Sequence, residues 1–140
     1  MLSKTKRVLA STEVPGESIA DFPGFLLRRV SEPTVEGSSQ LMRLNHDTIS
    51  PGGGCDRHLH NLAEETWLIL SGTGHWYCDG KITAIKPGDV CYAEPGAVHQ
   101  IINSGKNDLV FYTVTCPPCD MANDIVIKEA FDYDKHVPAK

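Results

Sequence analysis

The chain has 140 residues, 41% of them hydrophobic and 22% charged, and a formal net charge of -5 at pH 7. This length fits one domain and this composition is ordinary for a globular protein, while an acidic chain without a Lys/Arg run is not expected to bind nucleic acid. No apolar run is long enough to span a membrane, and no apolar segment follows the N-terminal basic residues as in a secretory signal, so we expect a cytoplasmic protein.

Short strand-like segments alternate with turns that contain glycine or proline along most of the chain. We predict strands at 25–30, 40–45, 66–70, 75–78, 82–85, 90–93, 100–103 and 109–115, with a loop at 31–39. Asp79-Gly80 predicts a two-residue hairpin, and 120–130 is the best candidate for a short helix. Many short strands with regular turns favour an all-β sandwich or barrel.

Histidines and a glutamate are spaced so that a sheet can turn them toward one point. His58 and His60 are two residues apart and share one face of an extended strand. Glu65 opens the next apolar run, and His99 follows a Pro-Gly turn. Imidazole and carboxylate are ordinary ligands of divalent first-row metals. The spacing indicates a metal site, although a single His-X-His is more often a core or surface feature.

The residues around these histidines form two ordered motifs. The first places a glycine, five residues, His-X-His, four residues, a glutamate, six residues and a glycine at Gly52, His58, His60, Glu65 and Gly72. The second is matched at Gly88, Pro95, Gly96, His99 and Asn103. Together they resemble the cupin family. The departure is Glu94, which stands where the family usually has the first proline of Pro-X-Gly.

The resemblance implies a small single-domain metal-binding cupin. We expect a cupin-type double-stranded β-helix, or jelly-roll barrel. Residues 1–35 would form an N-terminal arm and first strands, 36–118 the barrel core and 119–140 a short C-terminal extension. The resemblance also implies one divalent metal per chain, Fe, Mn, Ni, Zn or Co, held by His58, His60, Glu65 and His99.

Strand alternation suggests which side chains surround that metal. Trp67 and Ile69 share the face of Glu65, and Ile101 shares the face of His99. Cys55 lies three residues before His58 and is a further candidate for the pocket. No acid/base pair follows from spacing; the weak catalytic candidates are Glu94, His75 and Tyr77. His46 and His136 lie outside the motifs, and we expect them at the surface.

The function implied is that of an enzyme acting on a small polar molecule that coordinates the metal. A dioxygenase is the leading expectation, ahead of a non-oxidative lyase, isomerase or decarboxylase. A non-catalytic ligand-binding or sensing protein is the alternative from another class, and a metal-free sugar epimerase of the same barrel class is the third.

Both faces of the strand at 67–70 are apolar, which predicts a homodimer unless the N-terminal arm covers the outer face. The five cysteines are an odd number and do not suggest a disulfide framework. Cys116 and Cys119 have Cys-X-X-Cys spacing, but no thioredoxin-like context surrounds them, so we interpret them as thiols at the end of a strand.

Overall fold

The computed structural model describes residues 8–118 and 121–139. After a 3-10 turn, Ser11–Glu13, the chain forms eleven strands in the described residues: β1 Gly16–Ser18, β2 Phe25–Ser31, β3 Arg43–Ile49, β4 Arg57–His60, β5 Glu64–Ser71, β6 Gly74–Cys78, β7 Lys81–Ile85, β8 Val90–Ala93, β9 His99–Ile102, β10 Leu109–Cys116 and β11 Ile125–Glu129. Two single-turn helices, α1 Met121–Asp124 and α2 Tyr133–His136, flank β11.

The strands form two antiparallel sheets. One has six strands in the order β1-β2-β3-β10-β5-β8, and the other has five in the order β11-β4-β9-β6-β7. Neighbours in space are mostly distant in sequence, as in a jelly roll, where the chain passes repeatedly from one sheet to the other. The predicted all-β jelly-roll fold is confirmed.

The core lies between the two sheets. In β10 every second residue is buried, because alternate side chains of a strand point to opposite faces. Trp67 of β5 stacks on Phe111 of β10, with ring centroids 5.1 Å apart, and meets Trp76 of β6 edge-on at 5.2 Å. The Trp67–Trp76 contact joins the two sheets, and each large side chain buried there stabilises the fold by roughly 1.5–3 kcal/mol.

Two turns depend on backbone conformations that favour glycine. Asp79 and Gly80 have φ of 45° and 88° and join β6 to β7, which confirms the predicted hairpin. Gly72 has φ of 82° where the chain passes from β5 to β6, and a side chain there would collide with the carbonyl oxygen of Asp108.

The main differences from the predicted elements lie near the ends of the chain. β3 extends to Ile49, four residues beyond the predicted strand. β1 and β11 were not predicted, and β4 was indicated only by the spacing of His58 and His60. The short helix predicted within 120–130 is confirmed as the single turn Met121–Asp124, whereas the residues that follow it, Ile125–Glu129, form a strand that pairs with β4. Strand pairing with an available sheet edge outweighs the weak local preference of this segment.

The prediction that His46 and His136 lie at the surface is wrong. They are 5% and 3% exposed. The His46 ring packs against Tyr112 of the neighbouring strand at 5.2 Å. His136 is buried because α2 folds back so that its Nδ1 accepts a hydrogen bond from the side-chain amide of Gln100 at 3.0 Å.

Both terminal regions contribute strands to the sheets, β1 and β2 at one end and β11 at the other. The division at residues 35 and 118 stays a prediction. Cys55, Cys78, Cys91 and Cys116 are free thiols, and Cys119 lies outside the described residues. Within the described ranges, no helix combines the length and apolar character needed to cross a membrane.

Candidate metal centre

Four buried side chains converge between the sheets near one end of β4. His58 and His60 are the two buried residues of that strand. His99 lies directly opposite His58 on β9, and Glu65 reaches the same point from β5 of the facing sheet. One potential ligand atom from each of the four residues lies within 4.8 Å of the others. The residues predicted as metal ligands are therefore brought together.

The outer nitrogens of two imidazoles are held by backbone carbonyls. His58 Nδ1 lies 2.7 Å from the carbonyl oxygen of Asp56, and His99 Nδ1 lies 3.0 Å from that of Ala97. A carbonyl oxygen accepts a hydrogen bond, so each Nδ1 donates and each Nε2 is directed to the interior. This arrangement orients both rings as a metal ligand requires.

The third imidazole, that of His60, is oriented by the carboxylate of Asp124, the last residue of α1. His60 Nδ1 lies 3.3 Å from Asp124 Oδ2. The same carboxyl group accepts hydrogen bonds from the backbone N–H groups of Leu62 and Ala63 at 2.8 Å and 3.3 Å. Asp124 thereby links the loop after β4 to His60, the last residue of β4.

Glu65 accepts hydrogen bonds on both oxygens. His60 Nε2 and His99 Nε2 lie 3.0 Å and 2.9 Å from Oε1, and the Thr115 hydroxyl donates to Oε2 at 2.7 Å. Burial by itself would raise the pKa of Glu65. The hydrogen bonds from the two imidazoles outweigh burial and hold the pKa well below its ordinary value. Glu65 is thus an anion at neutral pH.

Burial acts in the opposite direction on His58. Burial and, to a smaller extent, the neighbouring His99 lower the pKa of His58 to about 4, although the hydrogen bond to the Asp56 carbonyl opposes the shift. A neutral imidazole offers the lone pair that a metal requires. Three imidazoles and one carboxylate form a donor set for a divalent first-row metal. The cluster fits a metal ion in both chemistry and spacing, and could hold one.

A cavity of about 30 Å³ adjoins the cluster. Besides His58, His60 and Glu65, its polar lining residues are Thr113 and three residues of β3, Arg43, Asn45 and Asp47, and its apolar lining residues are Ile19, Phe22, Phe25, Leu27 and Trp67. Burial raises the pKa of Asp47 to about 7, although a hydrogen bond from Thr113 opposes this. None of these β3 residues was predicted from the sequence as part of the site.

Of the four predicted pocket residues, Trp67 lines this cavity. Ile69, Ile101 and Cys55 are buried in the hydrophobic core and are not among its lining residues. The backbone N–H of Ile101 donates to Cys55 Sγ at 3.4 Å. Burial raises the pKa of the Cys55 thiol to about 12, so it stays protonated and unreactive.

The three weak catalytic candidates lie away from the cluster. Glu94 is exposed in the turn before β9. His75 and Tyr77 lie on the face of β6 opposite Trp76, which is the residue that packs on His99. His75 Nδ1 lies 2.6 Å from the Ser104 hydroxyl, and the Tyr77 ring lies beneath the Arg57 guanidinium.

Comparisons with known proteins identify relatives in sequence and in fold, and the matched range includes all four residues of the cluster. Residues 45–115, about half of the chain, match the family model described as the cupin domain. The oxalate-binding protein of Thermotoga maritima is 30% identical over 119 residues, which are 81% of this chain and 97% of that protein.

Solved structures of similar proteins have the same fold. A predicted oxalate decarboxylase from Thermotoga maritima has a TM-score of 0.69 at 28% identity, over 79% of this chain and 98% of that one. A Klebsiella pneumoniae protein with a double-stranded β-helix domain has a TM-score of 0.68 at 25% identity, over 88% and 97%. With a jelly roll, two matched motifs and a buried three-histidine, one-glutamate cluster, this chain belongs to the cupin family.

Proposed function

We propose that the protein binds one divalent metal through His58, His60, Glu65 and His99 and, beside it, a small carboxylate compound. The buried cluster carries this proposal. Its three imidazoles are oriented by outer hydrogen bonds, and its carboxylate is ionised at neutral pH. Such a cluster would be costly to bury without a positive charge at its centre.

Two further observations support a carboxylate as the ligand. Arg43, 4% exposed, lines the cavity beside the cluster and supplies a buried positive charge. Arginine is the side chain best suited to bind a carboxylate, because its planar guanidinium matches both oxygens. The relatives described as an oxalate-binding protein and a predicted oxalate decarboxylase suggest the same class of ligand for this chain.

When bound, the metal supplies a Lewis acid that polarises a coordinated oxygen. The chain's own residues then perform three tasks. The imidazoles and Glu65 fix the position at which a ligand oxygen enters, and Arg43 balances the charge of the carboxylate. Trp67 and the apolar side of the cavity limit the water that can enter with it. The small volume restricts the ligand to a few non-hydrogen atoms.

We favour a non-oxidative reaction on the carboxylate, such as decarboxylation, over pure ligand binding. The dioxygenase expected from the sequence stays a prediction, as do the cytoplasmic location and the homodimer. Oxygen uptake and carbon dioxide release, followed together on metal-loaded protein with oxalate and related acids, separate the three cases. Dioxygenation consumes oxygen in proportion to substrate, decarboxylation releases carbon dioxide without that consumption, and a binding protein does neither.

The decisive experiment is elemental analysis of the full chain purified without chelator from metal-replete medium. We expect about one divalent metal per chain in the wild type and almost none in His58→Ala. His75→Ala is the matched control, since this histidine lies outside the cluster, and it should retain the metal. Cooperative thermal unfolding of His58→Ala shows that the loss is local. A wild type that stays well below one metal per chain after reloading would contradict the proposal.

A further inference from the structure

The six-stranded sheet presents a row of polar side chains to the interior, facing the histidines on the other sheet. Arg43, Asn45 and Asp47 alternate along β3 and therefore share one face. They are 4%, 4% and 2% exposed. All three line the cavity that also touches His58, His60 and Glu65. Polar residues on the inner face of a barrel strand must find hydrogen-bond partners there, because burial removes the water that would otherwise bind them.

Two oxygens of this row lack the hydrogen bonds that burial demands. Asn45 Oδ1 and Asp47 Oδ1 have no hydrogen-bond partner in the part of the chain that the structure describes. The other oxygen of Asp47 accepts a hydrogen bond from the Thr113 hydroxyl at 2.8 Å, which fixes the orientation of the carboxyl group. A buried polar atom left in this state costs about 1–3 kcal/mol. We call Asn45 and Asp47 the acceptor wall.

The chemistry of these atoms restricts what can occupy the cavity. Asn45 Oδ1 accepts hydrogen bonds, and Asp47 Oδ1 accepts them when the carboxyl group is ionised. An occupant that satisfies both oxygens must therefore offer N–H or O–H donors on that side. On the cluster side, the donor set and Arg43 favour an anionic oxygen. A dicarboxylate without a hydroxyl group meets the second requirement but offers nothing to the acceptor wall.

We propose that the acceptor wall selects a small hydroxy acid, whose hydroxyl group donates to Asp47 or Asn45 while its carboxylate lies toward the cluster and Arg43. This inference rests on the proposed function, since the cluster must hold its metal for the carboxylate to bind. It goes further by naming the residues and the functional group that discriminate among carboxylates. An ordered water is the other occupant that would satisfy both oxygens.

The test measures the affinities of three acids by calorimetric titration of the manganese-loaded full chain. Glycolate has the hydroxyl group, acetate lacks it, and oxalate offers only acceptors. Since glycolate also chelates free metals better than acetate, the informative quantity is how a substitution changes their affinity ratio. Asp47→Asn can keep the Thr113 hydrogen bond while turning an N–H₂ group toward the cavity. Asp108→Asn makes the same chemical change at an exposed position and is the matched control.

We expect Asp47→Asn to lower the glycolate-to-acetate affinity ratio about tenfold, as for the loss of a hydrogen bond to a charged group. Oxalate should bind the variant at least as tightly as the wild type. Asn45→Ala should lower the ratio in the same direction, and it serves as the second variant if Asp47→Asn does not fold. Asp108→Asn should leave the ratio unchanged.

The outcomes separate the two proposals. If both wall variants bind manganese and keep the wild-type ratio, the wall holds only water and the hydroxy-acid inference is overturned, while the proposed metal site stands. If the wild type takes up no manganese before any acid is added, the proposed function has failed, and the inference fails with it.

Discussion

Asp124, the last residue of α1, is the residue of the C-terminal region that contacts the candidate metal centre. Its carboxyl group is 3.3 Å from His60 Nδ1 and also accepts two backbone hydrogen bonds from the loop after β4. A carboxylate in this position orients the imidazole and makes it a stronger metal ligand. Asp124 is therefore a positioning residue, outside the four that would touch the metal.

We expect Asp124→Asn to weaken metal binding by roughly 10–100-fold, since the amide cannot supply the negative charge that supports His60. The measurement is the dissociation constant for a divalent metal, obtained by competition with a chelator of known affinity. Asp134→Asn, an exposed residue of α2, is the control for loss of one charge. Equal affinities for Asp124→Asn and the wild type would show that Asp124 has only a structural role.

Asp47 should make the stability of the metal-free protein depend on pH. Its folded pKa of about 7 is raised by burial above the ordinary value of 3.8. Between those values the folded state binds the proton more tightly than the unfolded state, so this group lowers the free energy of unfolding as pH rises through that range. Below pH 4 Asp47 does not lower the free energy of unfolding, and above pH 7 the decrease has reached its full size.

The asparagine of the Asp47→Asn variant cannot ionise, so the variant should lack this decrease in the free energy of unfolding with pH. Relative to the wild type, the variant should gain up to about 4 kcal/mol of unfolding free energy between pH 4 and pH 8, from the shift of about three pKa units. Urea denaturation of both metal-free proteins at pH 4.5, 6 and 8 provides the measurement. A difference that is constant with pH would mean that the Asp47 pKa is close to its ordinary value.

Among the individual residues of the site, the metal-binding motifs could be predicted from the sequence and the acceptor wall could not. His58, His60, Glu65 and His99 lie in spacings that identify them without knowledge of the fold. The wall lies on β3, before both motifs, where only Leu44 and Ile49 of the seven residues are apolar. A strand that is polar on both faces does not show which face points inward. Here the polar residues Arg43, Asn45 and Asp47 are the inner ones, contrary to the usual pattern.

Among the secondary-structure elements, the connection from β5 to β6 has a geometry that depends on a single glycine. Gly72 combines a positive φ with contact against the backbone of Asp108. Gly80, in the β6–β7 hairpin, has a similar φ of 88° but has no atom within 4 Å of where a Cβ would lie. The two glycines thus separate the cost of the backbone conformation from the cost of a collision.

We expect Gly80→Ala to lower the free energy of unfolding by roughly 1–2 kcal/mol, the cost of a left-handed conformation for a residue with a side chain. Gly72→Ala should lose this amount and roughly 1–3 kcal/mol more, because the collision displaces the backbone. Chemical denaturation of the two variants measures both. Equal losses would show that the chain near Asp108 yields without cost.

Strand order at the sheet edges explains which elements the sequence could not predict. β11 pairs with β4, the strand that contains His58 and His60, and β4 also pairs with β9. Ile125, Val126 and Ile127 form an apolar run too short for periodicity to separate a strand from a helix. Only the exposed edge of β4, a feature of the tertiary fold, makes this segment a strand.

For the molecule as a whole, the outer face of the six-stranded sheet is unusually apolar. Leu68, Leu70, Val90 and Tyr92 are 39%, 43%, 62% and 51% exposed. Leu68 and Val90 are direct cross-strand partners, so their side chains share this face. The chain near Val8 and Leu9 borders a groove of about 530 Å³ that also includes Leu68. Val8 and Leu9 therefore reach this groove, and the four side chains remain exposed within the described residues, 8–118 and 121–139.

We expect a homodimer that buries this face, with Val90→Glu shifting the protein to a monomer because each interface would then bury two charges. Size-exclusion chromatography with light scattering measures the mass directly. Ile82→Glu, on the other sheet, is the control for one added charge at an exposed apolar site and should remain a dimer. A wild type with the mass of one chain at all concentrations would contradict the prediction.

The placement of the aromatic residues gives the protein a built-in optical probe. The chain has two tryptophans, and the rings of Trp67 and Trp76 lie 6.0 Å and 5.5 Å from that of His99. A paramagnetic ion held by His99 would quench the fluorescence of both, whereas a closed-shell ion such as zinc would not. Intrinsic emission would then follow the loading of the centre without any label and distinguish the class of ion bound.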